Sequence, residues 1–187
     1  MTSSEEKFLD VDGNRIAVLA RPGVKHGAGI VWLGGYRSDM TGTKAAALDA
    51  RAAETGRAFL RHDYSGHGRS GGAFADGTIS RWLAESLAVF DAFATGPQVV
   101  VASSMGAWIA LLMVADLIRR GDSRVRGLVL IAPAPDFTSD LIEPHLTDAQ
   151  RRDLAGKGYF EEASDYAPEP NVYTRALIED GRARRVM

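Results

Sequence analysis

Short apolar runs alternate along the chain with longer segments in which apolar residues recur at helical spacing. The short runs predict buried strands, at residues 29–33, 58–62, 99–102 and 125–132. The longer segments predict helices, at residues 43–55, 78–93, 105–120 and 147–155. Strands that alternate with helices are typical of a mostly parallel sheet with helices on both faces, so the pattern predicts the α/β class.

The two ends of the chain depart from this alternation. Near the start, residues 8–11 and 15–20 are β-prone and flank Asp12-Gly13-Asn14, which predicts a hairpin. After Pro133 no strongly β-prone run follows, and the segment reads as a cap or lid. We therefore predict a core over residues 1–134 with six strands, and a cap-like segment over residues 135–187.

Composition narrows the class of function. The 187 residues carry a net charge of −2, which does not indicate a protein that binds nucleic acid. Cysteine is absent, which excludes disulfides and thiolate chemistry. The polar start has no signal-peptide pattern, and the longest apolar stretch, residues 105–115, is too short for a membrane span. The expectation is a cytoplasmic protein.

The most informative motif lies where the fifth strand meets the following helix. There Ala102-Ser103-Ser104-Met105-Gly106 places a hydroxyl between small residues two positions away on either side. This pattern is typical of the nucleophile elbow of serine hydrolases, G-x-S-x-G, with alanine in place of the first glycine. The alternative interpretation is that Ser104 only fills a tight strand–helix turn.

A serine nucleophile needs main-chain N–H groups that stabilise the oxyanion. One candidate donor is the N–H of Met105, and the other is the N–H of Tyr36 in the loop after the third strand, where Gly34-Gly35 lets the backbone bend. The glycine-rich loop over residues 65–72 lacks the features of a phosphate cradle or a dinucleotide fingerprint. Histidines are few and scattered, so neither a metal nor a cofactor is predicted.

Three segments together resemble the α/β-hydrolase superfamily. They are the Gly-Gly-Tyr-Arg-Ser-Asp-Met run of residues 34–40, the Asp-x-x-Gly-x-Gly-x-Ser loop of residues 63–70, and the Ser104 elbow. Within that superfamily the chain is most similar to bacterial relatives of the mitochondrial acyl-glucuronide esterase and palmitoyl thioesterase. The resemblance implies an α/β-hydrolase fold and hydrolysis of an ester or thioester through an acyl-serine, without a cofactor.

The resemblance also implies a catalytic acid and histidine after a seventh and an eighth strand, which the pattern does not show. The only histidine after Ser104 is His145, and Asp136 follows the sixth strand, so these two residues formally complete a triad. The alternative is a solvated His145 and an Asp136 that caps a turn. Of the other histidines, His67 is expected to be structural, His62 ends a strand and His26 lies in a charged loop.

A fold truncated after its sixth strand leaves residues 126–132 as an apolar sheet edge, which invites pairing with another chain. The sequence is consistent with a fragment of a longer hydrolase, with a homodimer formed through this edge, or with a tail that folds back over it. We expect that no strand from residues 163–187 pairs with it.

Two functions follow from these observations. The first is a serine esterase or thioesterase that takes a small-molecule acyl substrate, with cap residues Phe137, Leu141, Tyr159 and Phe160 expected to suit an acyl chain. The second is a non-catalytic binding or interaction protein with the same fold. A histidine within reach of the Ser104 hydroxyl would discriminate between them.

Overall fold

The structure is a computed structural model that describes residues 3–24, 27–164 and 169–187. Its central sheet contains six strands in the spatial order β1-β2-β4-β3-β5-β6. These strands are β1 (Glu5–Val11), β2 (Asn14–Arg21), β3 (Gly29–Leu33), β4 (Phe59–His62), β5 (Gln98–Ser103) and β6 (Val125–Ile131). The β1–β2 hairpin joins β4 in antiparallel fashion, and the remaining pairs are parallel. The predicted hairpin and mostly parallel sheet are confirmed.

In the described ranges, five α-helices accompany the strands. They are α1 (Thr43–Thr55), α2 (Ile79–Phe93), α3 (Met105–Arg119), α4 (Asp148–Gly156) and α5 (Arg175–Ala183). Two helix ends form as the sequence predicts. Thr78 caps α2 by accepting a hydrogen bond from the N–H of Arg81, and Gly56 ends α1 in the left-handed conformation. No helix in the described part of the chain is long and apolar enough to span a membrane.

Buried apolar side chains cover both faces of the sheet. The larger cluster contains Trp82 of α2 and Trp108 of α3, both fully buried. A smaller cluster on α1 joins Ala45 and Ala52 to Trp32 and Phe59 of the sheet. The doubly covered sheet that the continuous apolar runs predict is therefore present.

The segment after Pro133 contains strands that the sequence analysis did not predict. Here β7 (Tyr159–Glu162) pairs with β8 (Asn171–Thr174) in a separate antiparallel sheet. Each strand has four residues and one buried side chain, Phe160 in β7 and Tyr173 in β8. These strands lack a β-prone pattern because so short a strand has no alternation of its own and forms through its partner, and they lie outside the central sheet.

The α5 helix packs this segment onto the core. The main-chain N–H of Ser80 donates to the carboxylate of Asp180 at 2.8 Å, and the indole Nε1 of Trp108 donates to the carbonyl of Arg184 at 3.0 Å. A Cβ added at Gly181 would lie 2.2 Å from the Thr138 hydroxyl oxygen. The helix is thus held against α2 and α3.

The β6 strand is one edge of the sheet. Within the described residues it pairs only with β5, and β8 pairs with β7 rather than with β6. The expectation that no strand from the tail covers β6 is confirmed for these residues. Its side chains are half-buried or exposed, and Val129 is 49% exposed.

We predict that the 187-residue chain associates through β6 and that Val129→Lys weakens this association, since a lysine on an edge strand opposes edge-to-edge pairing. Sedimentation velocity over a concentration series measures the effect. Val24→Lys is the matched control, because Val24 is 68% exposed and lies outside every strand. Equal association of the two variants would exclude β6 as the interface.

Candidate active site

Ser104 occupies a strained turn between β5 and α3. Its φ of 54° and ψ of −123° lie in a region that residues other than glycine rarely adopt. The turn is held by main-chain hydrogen bonds, from the N–H of Ser104 to the carbonyl of Ile131 at 3.1 Å and from the N–H of Ala134 to the carbonyl of Ser104 at 3.3 Å. Ser104 is half-buried between buried neighbours, so its side chain sits at the apex of the turn.

The small residues beside Ser104 have unequal roles. A Cβ added at Gly106 would lie 2.4 Å from the carbonyl oxygens of both Leu33 and Gly34, a distance that backbone atoms do not tolerate. Ala102 is fully buried and its methyl group is accommodated. The motif therefore needs glycine on the helix side, whereas alanine fits on the strand side.

The loop after β3 lies directly against this turn. A Cβ added at Gly35 would be 3.2 Å from the Cβ of Ser104. Within the described residues, no hydrogen bond engages the main-chain N–H of Tyr36 or of Met105, the two predicted oxyanion donors. The N–H of Met105 also lies at the first turn of α3, where the helix dipole favours negative charge.

The Asp-x-x-Gly-x-Gly-x-Ser loop braces the loop after β3. The buried carboxylate of Asp63 accepts the N–H of Met40 at 2.6 Å and the N–H of Arg69 at 2.8 Å. Burial raises the pKa of Asp63, while these two donors oppose the rise. A Cβ at Gly68 would lie 2.2 Å from this carboxylate, so glycine is required there. These contacts give the loop of residues 63–70 a structural role.

Three described histidines occupy different sites. His67 is buried and contacts the main chain of Arg37 and Ser65. His62 is buried in the core beside Ser86. His145 ends a short helical turn, Glu143–His145, and lines a small surface depression with Phe160. His26 lies outside the described residues.

Among the described residues, no hydrogen bond joins Ser104 to either of the formal triad partners, Asp136 and His145. The fully buried carboxylate of Asp136 accepts the N–H of Val186 at 3.0 Å and the N–H of Met187 at 2.8 Å, with Arg185 beside it. The described contacts of His145 include neither Asp136 nor Ser104. The carboxylate of Asp136 thus binds main-chain N–H groups fifty residues away, which differs from the local turn cap of its alternative interpretation.

Ser104 opens into a cleft of ≈ 760 Å³. Polar and charged side chains dominate its lining, which comprises Gly35, Tyr36, Arg37, Ser38, Lys44, Ser103, Ser104, Ala132, Ser164, Glu169, Asn171 and Tyr173. The four cap residues expected to receive an acyl chain, Phe137, Leu141, Tyr159 and Phe160, are not among them. Phe137 and Phe160 are buried in the core, while Leu141 and Tyr159 are exposed outside this cleft.

Residues that β8 brings to this cleft were not predicted from the sequence. The rings of Tyr36 and Tyr173 stack with centroids 5.5 Å apart, and the Tyr36 hydroxyl donates to the carbonyl of Val172. Arg37 donates to the carbonyl of Pro170. No local signal marks these residues, since they reach the loop through the unpredicted β7–β8 pair.

The sheet order and the strained strand–turn–helix define the class of α/β hydrolases. Residues 28–155 match the Hydrolase_4 family, described as serine aminopeptidase, S33, and the chain belongs to this family. Among the described residues, no group of three or more histidines and carboxylates could hold a metal ion.

Similar proteins include mitochondrial palmitoyl-protein thioesterases ABHD10. The mouse protein is 42% identical over 108 residues, which are 58% of this chain and 35% of that protein. The human protein is 35% identical over 141 residues, which are 75% of this chain and 44% of that protein. The chain thus spans less than half the length of these relatives.

Two solved structures share the fold across almost the whole chain. A putative hydrolase from Agrobacterium vitis S4 is 54% identical, with a TM-score of 0.92 over 100% of this chain and 73% of that chain. Alpha/beta hydrolase domain-containing protein 10 from mouse is 29% identical, with a TM-score of 0.80 over 97% of this chain and 71% of that chain.

We predict that Gly106→Ala lowers the free energy of unfolding by about 1–3 kcal/mol, because its methyl group forces α3 away from the carbonyls of β3. Urea unfolding measures the change. Gly127→Ala is the control, since its Cβ would meet only Val99, at an ordinary 4.0 Å. A Gly106→Ala variant as stable as Gly127→Ala would contradict the close approach.

We also predict that His62 makes the fold sensitive to acid. Burial lowers its pKa to about 4, so between that value and its ordinary 6.5 the unfolded chain binds more protons. The free energy of unfolding therefore falls as pH drops through this window, by up to about 3 kcal/mol. Urea unfolding at pH 7 and pH 4.5 should show a smaller fall in the free energy of unfolding for His62→Phe than for the unaltered protein. Equal falls would show that His62 does not cause the acid sensitivity.

Proposed function

We propose that the protein hydrolyses a carboxylic ester or thioester through an acyl-serine intermediate on Ser104. The observation that carries the proposal is the strained φ of 54° at Ser104, in a turn that faces the cleft and adjoins two unengaged main-chain N–H groups. Strain at a non-glycine residue persists where the surroundings enforce it, and it clusters at functional sites.

In the proposed reaction the Ser104 hydroxyl oxygen attacks the acyl carbon, and the carbonyl oxygen becomes the oxyanion. The N–H groups of Tyr36 and Met105 donate to that oxyanion. The bond from the acyl carbon to the leaving oxygen or sulfur breaks, and the leaving group takes the proton lost by serine. Water then cleaves the acyl-serine to release the acid.

The thioester option is supported by the mouse and human relatives, which are named palmitoyl-protein thioesterases. A base must accept the serine proton. In the described residues no imidazole is hydrogen-bonded to Ser104, and this observation favours the second candidate, a binding protein with a hydrolase fold.

The test is labelling of protein purified from its native source with a fluorophosphonate, which reacts with activated serines. We expect a single adduct on the peptide that carries Ser104, and its loss in Ser104→Ala. Ser103→Ala is the matched control, because it removes the neighbouring buried hydroxyl and should keep the adduct. Labelling that survives Ser104→Ala would remove Ser104 from the reaction, and absence of labelling in the unaltered protein would favour the binding protein.

A further inference from the structure

The imidazole of His67 lies beneath the loop that carries Tyr36. It is 4% exposed and enclosed by three aromatic rings, those of Tyr64, Phe74 and Trp82, with centroids 5.0–5.6 Å away. All three rings meet it at steep angles, so the ring cannot rotate freely. Its two nitrogens therefore have fixed partners.

Those partners define a single tautomer. Nδ1 is 3.1 Å from the carbonyl oxygen of Ser65, which can only accept, so Nδ1 carries the proton. Nε2 is 3.2 Å from the main-chain N–H of Arg37, which can only donate, so Nε2 is an unprotonated acceptor. Burial lowers the pKa of His67, with Arg37 acting in the same direction, which favours this neutral form.

The N–H that His67 accepts belongs to a strained residue. Arg37 has a φ of 58°, the left-handed region that residues other than glycine occupy at a cost. It directly follows Tyr36, and the N–H of Ser38 donates to the carbonyl of Gly35 at 3.1 Å to close the turn around both residues. The orientation of the peptide bond between Tyr36 and Arg37 therefore depends on the group that accepts the hydrogen bond of the Arg37 N–H.

Other contacts hold the loop at its two ends. Tyr64 donates to the carbonyl of Gly34 at 3.2 Å, and Asp63 accepts the N–H of Met40 at 2.6 Å. At the middle of the loop the side chains of Tyr36 and Arg37 donate to the carbonyls of Val172 and Pro170. Among the described residues, only His67 accepts the main-chain N–H of Arg37.

We propose that His67 is a positioning residue, whose Nε2 lone pair fixes the Arg37 peptide and thereby aims the N–H of Tyr36 at the substrate oxyanion. This inference rests on the proposed function. It assigns His67 a role through its acceptor atom and not merely through its volume.

Two substitutions separate the acceptor from the volume. His67→Phe keeps a buried ring without an acceptor, and His67→Gln places an amide oxygen near the position of Nε2. His62→Phe is the matched control, because His62 is an equally buried imidazole whose Nε2 faces Ser86 and not this loop.

The first measurement is exchange of the Arg37 amide proton by NMR, with the imidazole 15N shifts reporting the tautomer. We expect exchange to accelerate at least about tenfold in His67→Phe, and to stay near that of the unaltered protein in His67→Gln and His62→Phe. Equal exchange in His67→Phe and the unaltered protein, or a proton on Nε2, would overturn the proposal.

The second measurement is the rate constant for fluorophosphonate labelling of Ser104. We expect His67→Phe to lower it by about 10- to 100-fold, because a displaced oxyanion donor costs this much. His67→Gln should restore most of the rate. Equal losses of labelling rate in His67→Phe and His62→Phe would show that the rate falls only because the fold is destabilised, and would overturn the positioning role of His67. If the unaltered protein is not labelled, the proposed function fails. The amide exchange then still tests whether His67 holds the Arg37 peptide.

Discussion

The close approach of α3 to β3 is the constraint on which the candidate site depends. At Gly106 the helix touches the carbonyl oxygens of Leu33 and Gly34, so the chain has too little room for an ordinary turn between β5 and α3. Ser104 absorbs the difference by adopting a φ of 54°. A conformation of this kind costs about 1–3 kcal/mol, which the burial of Trp108 and Ile109 on the same helix offsets.

The loop after β3, which lines the cleft, is braced from behind by β4 and the loop that follows it. Arg61 donates to the carbonyl of Met40, Asp63 accepts the N–H of Met40, and His67 accepts the N–H of Arg37. Each contact joins a buried side chain to a main-chain atom of the loop after β3, so these buried side chains fix the shape of that loop. Residues 61–70 thus form one bracing unit for the loop after β3.

Local chemistry explains which parts of the molecule the sequence predicted. The individual strands, the hairpin, the Thr78 cap and the tight turn at Ser104 all have signals in residues close together in the chain. The β7–β8 pair could not be predicted, because Phe160 and Tyr173 find their environment only through each other and the core. Likewise, the partners of Asp136 are main-chain N–H groups fifty residues away, which no side-chain pattern marks. The polar lining of the cleft depends on the same long-range packing.

The strain at Ser104 also bears on the choice between the two candidate functions. A protein that only binds a ligand gains nothing from holding a serine at positive φ, since glycine would adopt this φ at no steric cost. The strained serine brings a hydroxyl to the apex of the turn, beside the N–H of Met105 and against Gly35. This arrangement places a hydroxyl and an unengaged main-chain N–H on the same turn, which supports the proposed acyl transfer over the binding protein.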